Sequence, residues 1–314
     1  MNSSLPRVRA RAAPWLLALA VLGCAGTSAP RALPNPFHVF HFCMARLTPA
    51  RQAELARDVG YDGLVFQGSN DRRLLEEVAP YARDRQTPLA AVLWSITFDV
   101  PEPFDAGLLD ELARSLSGRG TVLWLLVNSR QPPPFVRDAS QDRLAAEVIG
   151  RVADLARRHG VGVVLYPHED HYVATAEHAV RLLHLAGPEG VPDNLRLSVH
   201  LCHELRAGNG PRLAEVVRAA LPYLALVSIS GANNTVTPSS PDWSDTIQVL
   251  GEGDYDVQGF VNTLVASGYT GPVALHTYGL QGDPRDLLTR SFAAWRTLST
   301  NAARAARDAA PPPP

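Results

Sequence analysis

Residues 161–187, VGVVLYPHEDHYVATAEHAVRLLHLAG, decide the fold. VGVVLY is a continuous apolar run, the pattern of a parallel strand covered on both faces. TAEHAVRLLHLAG has helical periodicity. Between them lie His168, Glu169, Asp170 and His171, four ionisable side chains directly after a strand. They could bind a metal, move a proton, grip a substrate or merely solvate a loop.

The same strand–turn–helix unit recurs on either side. FHVFHFC precedes TPARQAELARDVG, where Thr48 can cap the helix and Pro49 can open it. DGLVF precedes a helix in NDRRLLEEVAPYARDR, capped by Asn70. PLAAVLWS precedes DAGLLDELARSL, and TVLWLLV precedes a long helix ending at Gly160. Beyond the opening stretch come LRLSVHL with GPRLAEVVRAAL, YLALVSIS with DVQGFVNTLVASG, and PVALHTY with DPRDLLTRSFAAWRTL. Eight βα units over roughly 250 residues predict a single (β/α)8 TIM barrel. A doubly wound sheet would carry a Gly-rich turn after its first strand, and FHFCMARL has none. The barrel is expected over residues 37–298, with 299–314 a low-complexity, frayed tail.

Composition narrows the chemistry. Of the 314 residues 46% are hydrophobic and 19% charged, with a net charge of −2, so nucleic acid has no electrostatic footprint. Every basic side chain is Arg. The absence of Lys removes Schiff-base chemistry and the P-loop lysine. At the N-terminus Arg7, Arg9 and Arg11 precede the short apolar run PWLLALAVLG and the small residues GCAGTSA. This predicts a cleaved signal peptide over 1–26 and a linker over 27–36. Val21-Leu22-Gly23-Cys24 resembles a bacterial lipobox with Cys24 as the lipidation site; plain cleavage near Ala25 or Ala29 is the alternative. Either way the protein is expected to be exported, as a periplasmic protein or a membrane-anchored lipoprotein of a bacterium. A lipid anchor would be its only membrane contact. Cys43 and Cys202 are expected as unpaired core thiols on strands far apart.

In a TIM barrel the active site lies at the C-terminal ends of the strands. Gln67, Trp94, Asn128, Tyr166, His168, His200, His203, His276 and Tyr278 all fall at or just past such ends. Imidazoles gathered at one mouth suit a transition metal or general acid–base work. His168, His203 and His276 are the candidate catalytic groups and His200 the candidate metal ligand. Gln67, Trp94, Asn128, Tyr166, Glu169, Trp243 and Tyr278 are candidate contacts to substrate. Trp243 suits stacking on a sugar ring or packing its long loop onto the barrel. His38, His159, His178 and His184 read as structural, and His41 is borderline.

VVLYPHEDHYVATAEHAVRLL, LCHELRAGNGPRL, IQVLGEGDYDVQGFVNTLVASGYTGPVAL and RSFAAWRTL together resemble the xylose-isomerase-like TIM barrels, the group of sugar phosphate isomerases/epimerases. That resemblance implies a divalent cation, Mn2+, Mg2+ or Zn2+, on four strand-end residues: Glu, Asp, His and Glu. In this sequence those positions carry Tyr166, His200, Ser228 and His276, so none is retained. The family's substrate-side histidine pair does match, at His168 and His203. The replacements speak against the usual metal site and leave the cofactor open. The resemblance implies a sugar isomerase/epimerase-like protein working by proton transfer on a small-molecule carbohydrate, a free sugar or sugar derivative in an exported chain. The alternative is a carbohydrate-binding lipoprotein that lost the chemistry.

Overall fold

A computed structural model describes residues 33–83, 86–187, 190–235 and 243–309. The expected signal peptide and Cys24 lie outside the described residues. Eight parallel strands, paired in chain order, close into a barrel through β1–β8 pairing. They are β1 Phe37–Phe40, β2 Gly63–Gln67, β3 Leu89–Thr97, β4 Val122–Asn128, β5 Val163–Leu165, β6 Leu195–His200, β7 Leu224–Ile229 and β8 Val273–Leu275. Helices alternate with them: α1 Pro49–Val59, α2 Arg73–Arg83, α3 Ala106–Leu116, α4 Ala139–Arg157, α5 Ala176–Leu185, α6 Leu201–Arg206, α7 Leu213–Ala220, α8 Val257–Ala266 and α9 Pro284–Asp308.

Local chemistry starts and stops these helices. Asp105, Asp138, Thr175, Asp256 and Asp283 each accept a backbone N–H of the first turn of α3, α4, α5, α8 and α9. Gly60 ends α1 with φ 114°, a left-handed conformation that costs only glycine little. Two expected caps work differently. Thr48 places no side-chain bond on α1, which starts on Pro49 instead. The Asn70 amide exchanges two hydrogen bonds with the Ser95 backbone, pinning the β2–α2 loop to β3 rather than capping α2.

Alternation along the strands makes two cores. Phe40, Val65, Leu93, Trp124, Leu126, Val164 and Leu226 fill the barrel. Residues of opposite parity, such as Val39, Leu64, Val92, Leu125 and Val199, pack against the helices. Inside the barrel, Trp124 Nε1 donates to Ser198 Oγ at 2.8 Å, and Ser198 Oγ donates to the Leu165 carbonyl at 2.9 Å.

The C-terminal boundary differs from expectation. α9 continues to Asp308, with Ser299 and Ala302 buried and the Asn301 amide donating to Gln258 Oε1 at 3.2 Å. NAARAARDAA looks like low complexity, but Ala and Arg are among the strongest helix formers. A helix already docked on α8 therefore extends through it. Among the described residues no helix is long and apolar enough to cross a membrane.

Candidate functional site

Strand parity selects which side chains reach the mouth. Val65, Leu126, Val164 and Ala274 face the barrel interior. Residues further along with the same parity, Gln67, Asn128, His168 and His276, inherit that direction. Trp94 has the parity opposite to Leu93. It lies buried in the outer core with its ring 6.0 Å from Phe104, so the expected substrate contact at Trp94 is not formed. Asn128 ends β4 half-buried and is not part of the cavity described below.

β5 and β6 build the centre. Tyr166 follows β5 and stacks on His200, the last residue of β6, with ring centroids 4.0 Å apart and planes at 24°. Trp124 lies 4.7 Å from the same imidazole. His200 is fully buried and neither ring nitrogen has a hydrogen-bond partner. α6 begins directly after it, so Cys202 and His203, read from the sequence as a core-strand thiol and a loop imidazole, both sit on this short helix. The Tyr166 hydroxyl lies 3.2 Å from His203 Nε2 and 3.5 Å from His276 Nε2. His203 Nδ1 has no partner.

The HEDH loop folds back on itself. The His168 N–H donates to the Val173 carbonyl and the His171 N–H to the His168 carbonyl, each at 2.8 Å. Asp170 N–H donates to His168 Nδ1 at 3.2 Å, and Tyr278 N–H donates to His276 Nδ1 at 3.3 Å. An imidazole that accepts at Nδ1 while neutral carries its proton on Nε2. His168 and His276 are therefore Nε2–H donors, which leaves the Tyr166 hydroxyl to donate to His203. His168 packs on His203 at 3.9 Å and on His171 at 4.3 Å.

Burial sets the electrostatics. It holds His168, His200 and His203 well below the usual imidazole range, with neighbouring imidazoles pushing the same way. It takes His276 down to about 3. The Tyr166 phenol is pushed up and stays protonated. Near neutral pH the cluster is thus uncharged.

Above it lies a cavity of about 280 Å3, lined by Gln67, Tyr166, His168, His203, Trp243, His276 and Tyr278 from the expected set. Phe42, Asp170 and His171 line it as well. Glu169 does not. Its carboxylate is held by Arg206 Nε at 3.0 Å, and burial raises its pKa despite that cation. The Arg206 guanidinium lies 4.2 Å from the centre of the Trp243 ring, whose edge meets His168 and His203. Trp243 thus packs its loop onto the barrel and walls the cavity. Other carboxylates near strand ends are spoken for. Glu204 is fully buried, accepts from Ala176 N and Asn209 Nδ2, and is raised to about 7 by burial; Glu252 pairs with Arg290.

Tyr166, His200, Ser228 and His276, where the family's metal ligands would fall, offer a phenol, two imidazoles and a hydroxyl. A hard cation such as Mg2+ or Mn2+ wants carboxylate oxygens. This set does not fit one.

The family model described as xylose isomerase-like TIM barrel matches residues 53–298. An L-ribulose 3-epimerase structure superposes with a TM-score of 0.66 at 16% identity, covering 89% of this chain and 100% of that chain. A 3-keto-D-glucoside 4-epimerase from E. coli gives 0.65 at 16% identity, covering 84% and 99%. D-psicose 3-epimerase from Clostridium cellulolyticum H10, solved with D-tagatose, gives 0.60 at 15% identity, covering 87% and 97%. At such identities the likeness shows the fold alone. No curated protein matches the chain.

Proposed function

Because the chain belongs to the family of xylose isomerase-like TIM barrels, and its neighbours in fold include sugar epimerases, we propose that it acts on a free sugar or sugar derivative by moving a proton at the barrel mouth. The observation that carries this reading is the cavity of about 280 Å3, whose lining sets one carboxylate, Asp170, among imidazoles that burial keeps neutral. Proton abstraction beside a carbonyl needs a base and donors for the oxygen that gains charge. Asp170 is the lining group able to take the proton. The candidate set expected from the sequence holds the histidines and leaves Asp170 out, yet His168 and His276 present Nε2–H as donors and His203 Nε2 is taken by the Tyr166 hydroxyl. His168 Nε2–H is the donor that polarises the sugar oxygen, while the Tyr166 hydroxyl gives its only proton to His203 Nε2 and accepts from His276 Nε2–H. Trp243 and Tyr278 give the ring an apolar wall.

Export belongs to the same proposal. The basic and apolar N-terminal segment supports secretion, with Cys24 as a lipid anchor, and phosphorylated sugars are scarce outside the cytoplasm. The test is exchange of carbon-bound hydrogen in neutral ketoses dissolved in heavy water. Deuterium enters with the native chain and stops with Asp170→Asn. Tight binding without exchange would favour the second reading, a carbohydrate-binding protein. The low basicity of the buried imidazoles supports that alternative.

A further inference from the structure

Beneath the cavity floor, four side chains bring ligating atoms together: His200, Cys202, His203 and His276, every donor atom within 4.8 Å of the others. All are buried, from 0% to 3% exposed. Three of the imidazole nitrogens, both of His200 and Nδ1 of His203, have no hydrogen-bond partner. Unpaired buried polar atoms are expensive, and in a native fold they ask for an occupant. The nitrogen that His276 offers, Nε2, is held only by a 3.5 Å contact to the Tyr166 hydroxyl, at the weak limit of hydrogen bonding.

We propose that these residues form a thiolate–imidazole site for one borderline-soft divalent cation of the Zn2+ class. Three nitrogens and one sulfur match the structural preference of that ion for tetrahedral N/S coordination. They do not match the oxygen-rich shell that hard divalent cations require. Bond lengths near 2.0–2.3 Å need the donors to draw in by rotamer adjustment, without movement of the strands. A second grouping, His168, Glu169 and His203, competes for His203, but Glu169 is committed to Arg206 at 3.0 Å. Because His203 and His276 line the cavity above, the cavity is the entry path. Binding replaces the Cys202 thiol proton, while each neutral imidazole keeps its one ring proton on the nitrogen turned from the ion, so one proton is released. At His276 this moves the proton from Nε2 to Nδ1 and gives up the long contact from Tyr278 N–H. It also places beneath the cavity the positive charge that the neutral imidazoles lack. Such an ion, held by His203 and His276, would supply the charge that polarises a sugar oxygen, while Asp170 and His168, outside the set, keep the proton step. That last consequence rests on the sugar reading; the occupancy does not.

The test uses the full chain, untagged, stripped with chelator and then titrated with Zn2+ or Co2+. About one equivalent is retained through dialysis, about one proton is released per ion, and the Co2+ form shows a near-ultraviolet thiolate-to-metal charge-transfer band. Cys202→Ser abolishes that band, Cys43→Ser leaves it unchanged, and His200→Ala weakens retention by at least about tenfold. Circular dichroism verifies that each variant is folded. The proposal is overturned if the unmodified chain retains no Zn2+ or Co2+, if it retains Mn2+ or Mg2+ in preference, or if the band survives in Cys202→Ser. These readouts involve no sugar, so failure here leaves the sugar reading standing, and the reverse also holds.

Discussion

The histidines of the outer layer and those of the mouth live by different rules. Outside, His178 Nε2 lies 3.0 Å from Asp142, which also accepts from Tyr172 and Arg181, and His159 Nε2 lies 2.7 Å from Asp110. His184 meets the Tyr223 hydroxyl at 3.2 Å. At the mouth, His200, His203 and His276 have no carboxylate within hydrogen-bond distance, and three of their nitrogens, both of His200 and Nδ1 of His203, have no hydrogen-bond partner among the described residues. An imidazole with an acidic partner serves the fold. A cluster buried without one is a standing expense, maintained where something else uses it.

This contrast can be broken or sharpened in four ways. The largest effect is expected for His168→Ala, which lowers sugar hydrogen exchange by about 100-fold or more while moving the urea midpoint little; equal loss of stability would make His168 a structural residue. Next comes acid sensitivity. His276 is depressed from 6.5 to about 3, so the unfolded chain binds more protons between those values. Its contribution to stability is complete above pH 6.5 and falls away as the pH drops through that window. His276→Gln therefore flattens the pH dependence of the urea midpoint between pH 7 and 4. Asp142 is lowered, with hydrogen bonds from Tyr172, His178 and Arg181 overcoming its desolvation. Its contribution is present above the ordinary carboxylate range and is lost only at more acid pH. Third, Asp142→Ala strands Tyr172 and His178 and costs about 3 kcal/mol by chemical denaturation, with exchange intact. The smallest effect is Asp110→Asn, in a solvent-screened pair with His159, expected to leave the urea midpoint nearly unchanged and exchange unaltered.

Much of this was legible in the chain. Continuous apolar runs and their turns are local signals, and they carried the eight-unit barrel. The clustering of His168, His200, His203 and His276 followed from their places at strand ends. What escaped was mostly of two kinds. Trp94 was assigned to the mouth by position, although parity alone, read against Leu93, turns it outward. The rest depended on partners distant in sequence. Glu169 is taken by Arg206, and Glu204 is drawn into the interior to hold the first turn of α5. Cys202 joins three imidazoles because α6 starts without a loop after β6, and LCHELR carries no helix-start signal that would separate it from a turn. No spacing rule encodes such pairings; they appear only when the barrel closes.

Closure itself has a consequence for how the protein is made. Phe37 on β1 stacks on Trp295 of α9 at 4.7 Å, the Tyr61 hydroxyl donates to the Leu288 carbonyl at 3.0 Å, and β1 takes β8 as its second neighbour. The partners of the first strand are therefore synthesised last. Until they arrive, β1 is an open sheet edge carrying an exposed aromatic ring, the kind of surface that recruits other chains. For this molecule the hazard of aggregation is greatest before the final helix exists, and a long-range join of this kind makes a slow final folding step.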